Sequence, residues 1–538
     1  MRAVLALALL AALLVAHPVR AQRREATPPR PVTVAERSGF VATATAADLD
    51  AFFAALAESA PPGRLEFGSF GKSEAGRDLV VVRVPPSREA TDADPLLRVL
   101  VVANIHAGEV CGKEAVQILL REIAYGEHAD ITPACELRFV PNYNVDGNEA
   151  VDPKNRSGQN GPVAGMGRRE NERGLDLNRD CVKAESAEFR ALLSLLRDFD
   201  PHVVFDLHTT NGSPHGYHVT YATSMCTNVD EALDHYARQE LIPAARARLL
   251  ERHGFRSFDY GNLEGRGTPA WASFDHTPRY LTNYIGLRNR IGVLSEAYAY
   301  DPFEVRVRST RAFVLETLHT LVADRPELIA LCAAADRRGL EGRIEPGFRW
   351  DTVLAEGEPG EVLMGTWDQV PGEGGSTRLV RRTEFERRAM TIRTRFVSRA
   401  SRPLPAGGWA IESPSAAVVA NLRAHGIEFR ELAEPWTGEL RAFVPSSGDR
   451  AARPFQGHRT LKLRGDWHDA SRTLPTGTVI VPSRQALARL AAQLLEPESE
   501  DGLATWEFFA DQTRIAREGE AGAHPVFHLA RLDGLALR

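Results

Sequence analysis

Apolar residues in this chain fall into short runs that alternate between two spacings. Arg98 to Ile105, Leu137 to Pro141, His202 to Leu207 and Gly292 to Ala297 are almost continuously apolar, each the length of a strand buried on both faces. Between them, Val110 to Ala124 and Glu185 to Arg197 place apolar residues at helical spacing. This alternation, from about residue 41 to 335, predicts an α/β domain: a mostly parallel mixed sheet covered by helices on both faces. After about residue 340 the texture changes to Gly- and Pro-rich turns between short segments, predicting a smaller α+β C-terminal region over 340–538. Within it, Ser413-Pro414 opens a helix that continues through Val418 to Ala424 and ends at Gly426, with a strand over Ile427 to Leu432. A second unit pairs a strand, Thr478 to Val481, with a helix from Ser483 to Leu495 stopped by Pro497.

The N-terminus has its own pattern. Met1-Arg2, the apolar run Ala3 to Ala16 and the small residues around Val19-Arg20-Ala21 predict a signal peptide over 1–21, with mature protein from near Gln22. That run is shorter than the roughly 18 to 20 residues a membrane span requires. A linker rich in Pro, Arg and Thr is expected over 22–40. With no later stretch long enough to span a bilayer after signal removal, the expected location is periplasmic or extracellular.

Composition adds limits rather than direction. The chain has 538 residues, 43% of them hydrophobic, enough for a large core and more than one domain. A net charge of −6 is small for this length and favours neither nucleic acid nor an anionic membrane as partner, and no nucleic-acid partner is expected. Five cysteines (Cys111, Cys135, Cys181, Cys226, Cys332) are too few and scattered for a disulfide scaffold, although an oxidising compartment would permit one or two bridges.

Candidate chemistry gathers where strands end. His106-Ala107-Gly108-Glu109 lies between a strand and a helix, the place where open parallel sheets build sites. Alone it is weak, because 16 histidines and 71 acids yield roughly two His-x-x-acid matches by chance. A second histidine, His208, closes the apolar strand that contains Asp206, and two His with one Glu leave a fourth position open on a catalytic zinc. Asn178-Arg179 follows in Gly174-Leu175-Asp176-Leu177-Asn178-Arg179, where a guanidinium fork beside an amide suits a carboxylate. Glu296 ends the strand Gly292 to Ala297 and is placed to take a proton from water.

The order His-x-x-Glu, Asn-Arg, His, Glu resembles the zinc carboxypeptidase family, over residues 41–335. The resemblance implies one Zn²⁺ per chain held by His106, Glu109 and His208, with Asn178 and Arg179 binding the terminal carboxylate of a peptide or protein substrate. It implies Glu296 as general base and Arg169, next to Arg168, as the arginine that polarises the scissile carbonyl. The family's mobile substrate-capping tyrosine corresponds to Tyr284, with Tyr280 as the alternative. Asp206 has no role in that pattern. Two departures stand out: Asp180-Cys181 follows Asn178-Arg179 where many relatives have Asn and an aromatic, and Asn144-Val145-Asp146-Gly147 lacks the usual Pro. An amidoacylase resembling the aspartoacylase and succinylglutamate desuccinylase group, and a cell-wall peptide hydrolase, are the alternative readings.

Overall fold

The computed structural model describes residues 30–91, 93–264, 269–371, 377–517 and 522–538. The signal segment expected at 1–21 lies outside them. Eight strands form the central sheet, in the spatial order Glu66–Lys72, Asp78–Val84, Cys135–Val140, Leu97–Ala103, Val203–Thr210, Ile291–Tyr298, Val219–Thr223, Ser257–Asp259. The four central strands, Cys135–Val140 to Ile291–Tyr298, run parallel, and antiparallel pairings flank them.

Period-two alternation divides the central strands between two cores. Val99, Val101 and Ala103 face one layer, with Val116 and Leu119 of helix Cys111–Ala124 and Phe313 and Leu318 of helix Phe303–Ala323. Leu100 and Val102 face the other, with Leu192 and Leu196 of helix Ala187–Phe199. Both faces are thus covered, which explains why the strands read as unbroken apolar runs. Gly112 sets the closeness of one layer: a Cβ there would stand 2.7 Å from the Leu207 Cβ, so only glycine lets helix Cys111–Ala124 lie against strand Val203–Thr210 at this distance.

The C-terminal region contributes a six-stranded sheet in the order Arg430–Glu431, Val479–Pro482, Gly408–Ile411, Val526–Leu529, Trp436–Arg450, Leu461–Leu474. It shares apolar packing with the central sheet. Trp409, Leu422 and Leu490 belong to the same apolar cluster as Leu100 and Val102. A four-stranded sheet also crosses the boundary expected near residue 340, since Ala270–Ala272 pairs with Glu386–Arg393.

Three local expectations are corrected. Within the proposed linker 22–40, Val34–Arg37 forms a helical turn capped reciprocally by Thr33 and Glu36, with Val34 and Ala35 buried. The strand expected over Ile427 to Leu432 shrinks to Arg430–Glu431, because Ile427 turns into the core directly after the left-handed Gly426. The helix expected from Ser483 begins only at Ala488. Residues before it are held in a turn against another helix, where Gly339 approaches so closely that a Cβ would stand 2.5 Å from the Gln485 carbonyl oxygen. The five cysteines are buried free thiols, so the permitted bridges are not formed. Among the described residues no helix is long and apolar enough to cross a membrane.

Candidate metal centre and active site

Strand Leu97–Ala103 ends at Asn104, which takes a left-handed turn (φ 66°) and is tied by its side-chain amide to Asn142 and Asn148 at 2.7 and 3.1 Å. The chain then folds back so that the Glu109 amide donates to the His106 carbonyl at 2.8 Å, bringing both side chains to one side. His208 joins them from the neighbouring strand Val203–Thr210. Its Nδ1 lies 2.9 Å from Glu109 Oε2 and 3.1 Å from His106 Nδ1. One donor atom from each of the three falls within 4.8 Å of the others, and all three residues are buried. Two imidazoles and a carboxylate converging in this way fit a Zn²⁺ ion that keeps one position open.

Each histidine is also braced from behind. His106 Nε2 lies 3.1 Å from Asp176 Oδ1, and His208 Nε2 lies 2.9 Å from Asp206 Oδ1. Carboxylates placed this way fix ring orientation and raise ligand basicity. Burial alone would lower the His208 pKa, but Asp206 and Glu109 outweigh it and hold it well above the usual range. Burial likewise works to raise Glu109, and is overcome by Arg156, His106 and His208, which keep its carboxyl well below the usual range. Removing the brace by Asp206→Ala is expected to weaken metal affinity ~10- to 100-fold, measured by chelator competition; unchanged affinity would make Asp206 a bystander.

Glu296 stands beside His208 in register on the adjacent parallel strand Ile291–Tyr298. It is buried, and its Oε2 has no hydrogen-bond partner. Burial, with the carboxylates of Glu109 and Asp206 nearby, pushes its pKa up to about 8 against the opposing pull of His208. Glu296 is thus a buried carboxylate with an unpartnered oxygen beside His208.

These groups line a cavity of about 250 Å³. Arg169 reaches it through Nε to Asp176 Oδ2 (2.8 Å), with Nη1 3.3 Å from His106 Nδ1 and 3.6 Å from Glu109. Arg168 points away, to the Asn171 carbonyl and Glu172. Asn178 accepts from the Leu281 amide at 2.8 Å and sets its Nδ2 3.3 Å from His208 Nε2. Arg179 also lines the cavity, its guanidinium 4.2 Å from the Tyr280 ring centroid. Tyr284 does not. It is fully buried in helix Leu281–Leu287, and its hydroxyl meets His425 Nδ1 of the C-terminal region at 2.8 Å. The tyrosine in the cavity wall is Tyr280, packed edge-on against Phe274, which in turn meets Tyr260.

Three participants carried no usable sequence signal. Asp176 sits inside the quoted Asn-Arg segment, yet nothing in that segment aims it at His106. Asp206 shares a strand face with His208, as any i, i+2 pair does. Arg156 forms a tight ion pair with Glu109 from a turn, and this needs Gly108, where a Cβ would stand 2.5 Å from the Arg156 Cγ.

Comparison with known proteins supplies the frame. Residues 49–218 match the sequence model of the family described as zinc carboxypeptidase. Carboxypeptidase 2 of Trichophyton rubrum is 22% identical over 477 residues, covering 85% of this chain and 81% of that protein. Carboxypeptidase D of Mus musculus is 33% identical over 172 residues, which are 27% of this chain and 12% of that one. Among solved structures, a metallo-carboxypeptidase from Burkholderia cenocepacia aligns with a TM-score of 0.40 and 17% identity, covering 52% of this chain and 70% of that one. Residues 49–218, the stretch that carries His106, Glu109 and His208, are thus similar to the zinc carboxypeptidase family.

Proposed function

We propose that this protein is an exported zinc metallocarboxypeptidase that removes residues from peptide C-termini, holding one Zn²⁺ with His106, Glu109 and His208. The observation that carries the reading is Glu296 beside His208, with an unpartnered oxygen in a cavity that also holds Arg169 and Arg179. When bound, Zn²⁺ acts as a Lewis acid and makes water acidic enough to be deprotonated near neutral pH.

The remaining work falls to the chain. Arg179, assisted by Asn178, grips the free C-terminal carboxylate and fixes where the last amide bond lies. Glu296 takes a proton from the attacking water, and the same carboxyl later returns it to the leaving amine. Arg169 donates to the oxygen that gains negative charge as the carbonyl carbon becomes tetrahedral. Tyr280, rather than Tyr284, is the aromatic wall beside that site. The matched family favours this over the amidoacylase alternative.

Arg179→Ala tests it. Loss of charge-assisted hydrogen bonds worth about 1.5–3 kcal/mol should lower kcat/KM ~10- to 100-fold on peptides with a free C-terminus and leave amidated peptides uncleaved, as in wild type. Equal cleavage of free and amidated peptides by the wild type would replace this reading with endopeptidase activity.

A further inference from the structure

The C-terminal region has no catalytic motif of its own, but it reaches the segments that carry Asp176, Arg179 and Tyr280. The turn between its two long strands, Trp436–Arg450 and Leu461–Leu474, delivers Gln456, whose Oε1 accepts the Asp176 amide at 2.9 Å. Asp176 is the hub of the site. Its carboxylate meets His106 and Arg169 and also accepts the Asn178 amide at 2.9 Å. Gln456 itself is left-handed (φ 51°), a conformation that costs a non-glycine residue about 1–2 kcal/mol and persists only when surrounding contacts fix it. His458 of the same turn lies 2.9 Å from Glu185, so the turn is pinned at two points.

A second brace acts on the opposite wall. Buried Asp501 pairs with Arg279 at 3.0 Å, while the rings of Trp506 and Phe455 lie 5.1 and 5.5 Å from the Arg279 guanidinium. Arg279 immediately precedes Tyr280, the ring that stacks on Arg179. Both segments flanking Arg179 are therefore held by groups from beyond residue 450.

We propose that Gln456, supported by Asp501, is a positioning residue for the substrate-carboxylate subsite, so that the C-terminal region is a working part of the active site. This rests on the reading that Arg179 grips the terminal carboxylate. Gln456 acts through Asp176 and touches no reacting atom. Losing it frees the Asp176 amide and lets the 174–179 segment drift, which misplaces Arg179 more than the metal, since Glu109 and His208 hold the latter independently.

The test uses the full-length, zinc-loaded protein. Gln456→Ala, Gln456→Glu (which keeps an accepting oxygen) and Asp501→Asn are compared for kcat and KM on a peptide with a free C-terminus. The same peptide is titrated calorimetrically against each variant in a Glu296→Gln background, and amide exchange is followed over 174–180. Loss of one well-made hydrogen bond predicts a ~10-fold rise in KM and Kd for Gln456→Ala, with kcat within ~3-fold, faster exchange and metal content unchanged. Gln456→Glu should recover most of the affinity, and Asp501→Asn should shift KM in the same direction as Gln456→Ala. Faster exchange or a lower Tm with KM and Kd unchanged would reduce Gln456 to a purely structural contact and overturn the proposal. Failure of the carboxypeptidase reading looks different: no residue released by wild type and no peptide bound by Glu296→Gln, which would overturn both.

Discussion

Glu296→Gln is expected to retain zinc and to lower kcat by ~10²- to 10⁴-fold, the range that a positioned general base contributes. The substitution keeps shape and removes only the ability to take a proton. It suits this site because Glu296 is outside the ligand triad, and its unpartnered Oε2 has no structural bond to lose. Glu296 is buried, and a neutral amide of the same shape adds no charge there, so stability should hold. Metal analysis and initial rates on one preparation check this. Full turnover with zinc present would remove Glu296 from the mechanism.

The second large effect is expected at His208. His208→Ala removes one of three donor atoms and strips buried Asp206 of the imidazole beside it. Zinc affinity should fall by well over ~10²-fold, beyond the loss caused by removing a supporting residue behind a ligand. Because a metal that binds only the folded state stabilises it by mass action, the wild-type Tm should drop on adding chelator and that of His208→Ala should not move. A chelator-insensitive wild-type Tm, with metal absent from both proteins, would contradict the assignment of the triad.

What could be read from sequence and what could not divide along a physical line. The central strands were legible because burial on both faces forces unbroken apolar runs, and His208 and Glu296 stood out as polar residues inside or ending such runs. His106 and Glu109 share one turn, so their spacing is visible in the sequence, although it gains meaning only beside His208 and Glu296. Residues that meet only in three dimensions left no trace. Arg156 is 47 residues from Glu109, and Gln456 is 280 residues from Asp176. The choice between the two tyrosines is a related case: Tyr280 and Tyr284 lie one helical turn apart, and only packing decides that Tyr280 borders the cavity while Tyr284 turns to His425. Texture changes near residue 340, but a change of texture carries no information on packing across it, and Trp409 and Leu490 share an apolar cluster with Leu100.

The most direct test of the account is metal content of the purified protein, followed on the same sample by mass spectrometry of a mixed peptide library with and without chelator. The account predicts one zinc per chain and release of single residues from free C-termini that stops when zinc is removed and returns when it is restored. Internal cleavage, chelator-resistant cleavage, or a protein that binds no metal would contradict it.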